Sequence, residues 1–283
     1  MNIKKVMKIC GIMLLIFFLL LVLEVFIMQK RAFFHPWHDE TSYNELKLIE
    51  DVEEIKIDND GKVISGWLKY NVEDEVAPLV IFCGGNAQNS SNTCLNYKIA
   101  DRYKYFEGYN VLMFDYPEYG LSDGKISDKT MLDSVLKVYD YAKNLECVDN
   151  ENIVVLGYSI GTGAATYLAS QRDVSGLILV APYDDTLSLY NDFLDIFHGP
   201  LKLLARYRLE SMEYAKSVKV SPLIFTSYSD EIIDYNFSVN LSKHFRSLEE
   251  LVILDEGVTH NYYFIQDVVL NKVHQYLQNR LNI

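Results

Sequence analysis

Apolar residues fall into three patterns along this chain, and each predicts a different kind of element. The first is an unbroken run from Ile9 to Met28, apolar but for Gly11 and Glu24. As a helix it matches the ~30 Å hydrocarbon core of a bilayer. The second is alternation. Val52 to Asp58 and Val63 to Tyr70 read as strands, joined through Asn59-Asp60-Gly61, a strong hairpin signal. The third is a series of short solid runs at Leu79–Phe82, Asn110–Tyr116, Ile153–Leu156, Gly176–Val180, Pro222–Thr226 and Glu250–Leu254. Runs without polar alternation suit strands covered on both faces, as in a parallel sheet.

Between the solid runs the pattern predicts helices over about Asn92–Phe106, Lys129–Leu145, the stretch after Ser159, Tyr235–Phe245 and Tyr262–Leu281. Regular alternation of strand and helix implies right-handed crossovers and an α/β fold with a doubly wound, mostly parallel sheet. Only Ala181 to Val220 breaks the rhythm. Its Leu187, Phe193, Leu194, Ile196, Leu201 and Leu203 are too apolar for a solvated loop, and His198-Gly199-Pro200 divides them. Two or three short helices forming a small lid over the strand ends, at about residues 183–217, are the expectation. The chain thus divides into an amino-terminal anchor, 1–31, and one domain, 32–283.

Charge sharpens the anchor reading. Of 26 basic and 39 acidic side chains, the first 31 residues hold Lys4, Lys5, Lys8, Lys30 and Arg31 against Glu24, leaving 21 basic and 38 acidic on the remainder. Such a surface repels nucleic acid, which drops out as a partner. No small-x-small cleavage site follows the apolar run, so a retained single-pass signal anchor is expected rather than a removed leader. More positive charge before the span than after it predicts a cytoplasmic amino terminus and a domain on the extracytoplasmic side.

The segment Phe33 to Glu40 carries aromatics that fit an interfacial belt. His35, His38, Asp39 and Glu40 hold metal-ligating atoms, but Pro36 breaks their helical spacing, and neither a metal nor a cofactor is expected. Outside Cys10 in the anchor, Cys83, Cys94 and Cys147 are an odd number and define no disulfide framework. Free thiols are expected, with a Cys83–Cys94 bridge as the alternative in an oxidising compartment.

Candidate chemistry centres on Gly157-Tyr158-Ser159-Ile160-Gly161, a G-x-S-x-G pentapeptide between a solid apolar run and a small-residue helix. A chain that reverses there places Ser159 on a strained turn, with the free amide of Ile160 and a helix dipole behind it. A serine hydroxyl needs a base, a group to orient that base, and donors for the oxyanion. His260 follows the last predicted strand and Asp230 the one before it, with Glu231 and Asp234 as neighbouring alternatives. Asp115 also ends a strand but precedes Ser159.

These segments resemble the successive motifs of the α/β-hydrolase superfamily: Cys83-Gly-Gly-Asn-Ala-Gln-Asn89, Phe114-Asp-Tyr-Pro-Glu-Tyr-Gly-Leu-Ser122, the Ser159 pentapeptide, Ser229-Asp-Glu-Ile-Ile233 and Thr259-His-Asn261. More closely, the chain is similar to single-pass, membrane-anchored hydrolases with an aromatic-x-Pro segment after the anchor, here Phe34-His35-Pro36. The resemblance implies Ser159 as nucleophile, His260 as base and then acid, Asp230 as orienter, and the amides of Asn86 and Ile160 as the oxyanion hole. Two positions depart from the family pattern. Gly84 stands where a histidine usually precedes the oxyanion loop, and Asp234 stands where a proline is common after the acid. The implied activity is a membrane-anchored serine esterase, thioesterase or lipase-like hydrolase acting on a small acyl ester or lipid-like substrate. The alternatives are a serine peptidase of the same fold, with Asp184, Asp185, Asp192 or Asp195 receiving a peptide amino terminus, and a catalytically silent scaffold used as an interaction module.

Overall fold

The computed structural model describes residues 3–72, 76–255 and 257–281, so the outermost two residues of the expected anchor and of the expected domain lie outside it. The chain opens with α1 (Ile3–Phe33), whose most apolar window has no buried share. Among the described residues this is the one helix long and apolar enough to cross a membrane. A short α2 (Glu40–Leu46) follows, with Asp39 accepting from the Thr41 and Ser42 amides as its N-cap.

The hairpin forms as the pattern predicts. Strands β1 (Val52–Asn59) and β2 (Lys62–Lys69) pair antiparallel, and Asn59 faces Lys62 across a two-residue loop. Asp60 and Gly61 both have positive φ, 55° and 79°, which is the backbone a type I′ turn requires. Next come β3 (Ala77–Cys83), α3 (Ser90–Ile99), β4 (Asn110–Phe114), α4 (Asp128–Ala142), β5 (Val148–Tyr158), α5 (Gly161–Gln171) and β6 (Gly176–Val180). After the lid interval the chain adds β7 (Leu223–Ser227), β8 (Glu250–Leu254) and their helices, described below.

The sheet has eight strands in the order β1-β2-β4-β3-β5-β6-β7-β8, parallel throughout except for β2. The solid apolar runs are explained by two faces. Along β4, Leu112 and Phe114 join one core while Val111 and Met113 join the other; along β3, Leu79, Ile81 and Cys83 alternate with Val80 and Phe82 in the same way. Cys83 therefore lies on the opposite face from Cys94, and all four cysteines are free. The chain enters the parallel part at β3, moves outward to β4 and then crosses back to β5, so the strand order reverses between β3 and β5. Ligands in open α/β sheets bind at such a switch point.

The predicted helix over 92–106 is two pieces. Asp101 takes a left-handed φ of 52° and its amide bonds to Lys98, which ends α3; a 3-10 turn, Arg102–Phe106, follows. The lid interval holds α6 (Thr186–Phe193), a 3-10 turn at Gly199–Leu204 and α7 (Ser211–Ala215). Beyond β7 comes α8 (Tyr235–Ser242), capped by the Asp234 side chain on the Asn236 amide. The closing helix is α9 (Asp267–Leu281), shorter than predicted because a 3-10 turn, His260–Ile265, occupies its expected start.

In the aromatic segment after α1, Phe34 departs from the expected interfacial belt, while Trp37 keeps an exposed face. Phe34 is buried in the main core, its ring centroid 5.0 Å from that of Tyr207, and Trp37 Nε1 donates to the Ala87 carbonyl at 2.5 Å. The loop after β3 offers backbone acceptors and an amide side chain, and the segment folds onto it.

Candidate active site

Ser159 lies between β5 and α5 with φ of 53°, a left-handed conformation for a residue with a side chain, costing ~1–3 kcal/mol that the surroundings must hold. They hold it at both ends. Its amide donates to the Val180 carbonyl at 3.0 Å, and its carbonyl accepts from the Thr162 amide at 3.0 Å and the Thr162 hydroxyl at 2.6 Å. The turn leaves no room beside it. A Cβ on Gly157 would stand 2.7 Å from the Ala165 Cβ, and one on Gly161 would stand 2.2 Å from the Cys83 carbonyl oxygen. These two glycines let α5 lie against the ends of β3 and β5.

His260 opens the 3-10 turn after β8, and its Nε2 is 2.9 Å from Ser159 Oγ. The other ring nitrogen, Nδ1, is 2.9 Å from both carboxylate oxygens of Asp230. A ring that donates from Nδ1 to a carboxylate keeps Nε2 as an acceptor, facing the hydroxyl. The ring is stacked on Tyr158, centroids 5.4 Å apart, and the Tyr158 hydroxyl donates to the His260 carbonyl at 2.7 Å. All three side chains are largely buried.

Asp230 is set by the turn between β7 and α8. One carboxylate oxygen accepts from the Ile232 and Ile233 amides at 3.0 and 2.8 Å, and the other accepts from the Tyr263 hydroxyl at 2.9 Å. Burial pushes this carboxyl up, but the hydrogen bond from His260, its charge and the two amides outweigh burial and hold it below the usual carboxylate range. The neighbouring acids do other work: Glu231 accepts from the His260 backbone amide at 3.0 Å, and Asp234 caps α8. Asp115 is buried and engaged elsewhere, accepting from the Ser90 amide and hydroxyl at 2.6 and 2.8 Å.

The loop after β3 completes the arrangement. Among the described residues the backbone amides of Asn86 and Ile160 donate to no protein acceptor. Gln88 Oε1 accepts from the Gly85 amide at 2.7 Å. The Asn86 side chain ties the loop to the segment after α1: Oδ1 accepts from the His35 amide and the Tyr119 hydroxyl, each at 2.8 Å, and Nδ2 donates to the Phe33 carbonyl at 2.9 Å. Of the acids weighed for a peptide amino terminus, Asp184 receives Asn240 Nδ2 at 2.6 Å, Asp185 caps α6 and Asp195 pairs with His198, while Asp192 is exposed. Among the described residues no three His, Cys, Asp or Glu side chains gather closely enough to hold a metal ion.

Tyr263 and the Asn86 side chain were not evident from the sequence as parts of this site. Tyr263 falls three residues after His260, a spacing that a 3-10 turn brings round beneath it. Asn86 was singled out for its amide, and no pattern linked its side chain to residues some fifty positions earlier.

Residues 78–221 match the family model of the alpha/beta hydrolase fold. The chain belongs to that family. It is 30% identical over 132 residues to the alpha/beta hydrolase domain-containing protein aho-3 of Caenorhabditis elegans, a match covering 47% of this chain and 38% of that one. It is 26% identical over 204 residues to alpha/beta hydrolase domain-containing protein 17C of Homo sapiens, covering 71% of this chain and 58% of the relative. The chain thus spans less than two thirds of the length of both relatives. Among solved structures, an esterase of Pyrococcus furiosus superposes with a TM-score of 0.66 at 18% identity, covering 88% of this chain and 98% of that one, a likeness of fold.

Proposed function

We propose that the protein is a membrane-anchored serine hydrolase that cleaves a carboxylic ester or thioester through an acyl-enzyme on Ser159. The observation that carries this reading is the continuous line of 2.9 Å contacts from Asp230 through His260 to Ser159 Oγ, ending at the mouth of the parallel strands. The esterase fold neighbour supports the choice of bond.

In this mechanism the Ser159 oxygen attacks the acyl carbonyl while His260 Nε2 takes its proton. Asp230 stabilises the imidazolium and holds the ring in place. The carbonyl oxygen, now negative, accepts from the amides of Asn86 and Ile160 at the positive end of α5. His260 returns the proton to the departing alkoxide or thiolate. Water then enters, gives its proton to Nε2 and attacks the acyl-enzyme. Expulsion of Ser159, reprotonated by His260, releases the acid. No cofactor takes part. Helix α1 holds the enzyme at the bilayer, with the amino terminus cytoplasmic and the hydrolase domain on the other side.

The test is labelling by a fluorophosphonate and turnover of p-nitrophenyl acetate by the full chain in detergent, beside Ser159→Ala, His260→Gln and Asp230→Asn. The expected result is labelling of the wild type alone among the Ser159 pair, and a loss of at least ~10³-fold in kcat for Ser159→Ala and His260→Gln. A folded wild type that neither labels nor turns over ester would overturn the reading and favour a silent scaffold. Cleavage of peptide arylamides in preference to the ester would favour the peptidase.

A further inference from the structure

The lid expected to close over the strand ends turns much of its apolar surface outward. Phe193, Leu194, Ile196, Leu201 and Leu203 are between 37% and 77% exposed, in a region where a water-facing loop would carry polar groups. This surface is fixed beside α1. Gln29 is buried between them, its Nε2 donating to the Leu204 carbonyl at 2.9 Å and its Oε1 accepting from the Arg206 amide at 2.7 Å. The Arg206 guanidinium lies 5.3 Å from the centre of the Phe26 ring, and Val25 and Phe33 pack on Tyr190, Phe197 and Ala205. The last turns of the apolar helix and the lid are therefore one docked unit.

Between them runs an open apolar groove of about 370 Å³, walled by Leu21, Val25, Met28 and Phe33 on α1 and by Tyr190 and Phe193 on α6. From Leu21 to Phe33 the helix rises ~18 Å, a little over half the ~30 Å hydrocarbon thickness. Its inner end is Phe33, whose carbonyl accepts from Asn86 Nδ2 beside the proposed oxyanion amide. A groove continuous with the apolar helix, and lined by apolar side chains apart from Glu24, Gln29 and the Tyr190 ring, suits a hydrocarbon chain. An irregular peptide lying there would leave backbone amides and carbonyls unpaired among lipid.

We infer that the outer face of the lid is seated in the bilayer beside α1 and that the groove takes an acyl chain of a membrane lipid, so that the ester delivered to Ser159 is a long-chain one drawn from the adjoining leaflet. The substrate class rests on the serine hydrolase reading above; the seating of the lid rests only on membrane anchoring by α1.

The experiment uses the full chain in phosphatidylcholine vesicles. Tryptophan is placed at the lid surface by Phe193→Trp or Leu203→Trp, and emission is read after subtracting that of Trp37 and Trp67. Quenching by bromine-labelled acyl chains with little quenching by aqueous acrylamide is the expected outcome. Strong acrylamide quenching with none from the brominated lipid would overturn the seating. For the groove, Ala32→Trp sets an indole against its wall, and the ratio of dodecanoyl to acetyl p-nitrophenyl ester turnover is expected to fall at least tenfold while fluorophosphonate still labels the variant. An unchanged ratio, or disulfide-linked dimers of Val25→Cys that survive excess lipid, would overturn acyl binding, the latter by showing a second copy in the groove. A wild type that labels with no fluorophosphonate would sink the hydrolase reading, leaving the quenching result to stand alone.

Discussion

Replacing Asn86 by alanine separates what its backbone amide does from what its side chain holds. The backbone donor survives the change. What goes is the clamp between the loop after β3, the proposed oxyanion loop, and the end of α1 with the segment after it: two hydrogen bonds to His35, one each to Tyr119 and Phe33, and one to the Ala87 amide at 3.1 Å. The bonds to exposed groups are re-formed with water and cost little. The Tyr119 hydroxyl belongs to a side chain 1% exposed, and a buried group deprived of its acceptor costs ~1–3 kcal/mol. Gly84 in place of a histidine adds no side chain of its own to steady the loop. The Asn86 amide should then wander from the oxyanion position, and since loss of a whole donor costs ~10²–10³ in kcat, a loosened one should cost ~10–10². KM should move less than threefold, because the neutral carbonyl gains little from the amide before it becomes an oxyanion. The assay is p-nitrophenyl acetate turnover by full-length wild type and variant in the same detergent, with fluorophosphonate labelling as a check that Ser159 is still presented. A kcat within twofold of wild type would refute the argument that the post-anchor segment preorganises this loop.

Other expectations rest on single contacts. Gly161→Ala forces a Cβ to within 2.4 Å of the Gly84 carbonyl as well as against Cys83; overpacking against backbone should cost at least ~1–3 kcal/mol, seen as a lower urea midpoint and lost labelling. Tyr263→Phe removes one donor from a buried carboxylate, worth ~1.5–3 kcal/mol, and should lower both stability and kcat while raising the pH at which acid unfolding begins. Asp230 has a depressed folded-state pKa, so its stabilising contribution is complete above the unfolded value of ~3.9 and fades as pH falls through the folded one. Circular dichroism from pH 6 to 2 should therefore show a stability loss confined to the acid end, and in Asp230→Asn that part of the slope should vanish. Gln29→Leu should free the lid from α1, and limited proteolysis near Leu204 should accelerate at least tenfold.

How much of this was legible in the sequence depended on how local the cause was. The hairpin turn at Asp60-Gly61 and the solid apolar strands could be read because a backbone conformation and a two-sided burial each select residue types within a few positions. Ser159, Asp230 and His260 could be nominated because sheet topology brings every strand end to one edge, so order along the chain stood in for distance. The residue pattern alone left Glu231 and Asp234 beside Asp230, and the family resemblance pointed to Asp230; the fold shows why the three differ, aiming one carboxylate at the imidazole, one at a backbone amide and one at a helix cap. The largest departure was non-local. Phe34 has the character of an interfacial-belt residue, and nothing within ten residues says otherwise; its partner Tyr207 lies far along the chain. The same holds for Gln29, which in sequence is a polar residue ending an apolar run. In the structure both faces of its amide are used by the lid backbone. Detaching α1 would therefore expose the Leu204 carbonyl and the Arg206 amide, uncover Phe34 and loosen the Asn86 clamp together, so α1 is a structural part of the domain around the candidate site.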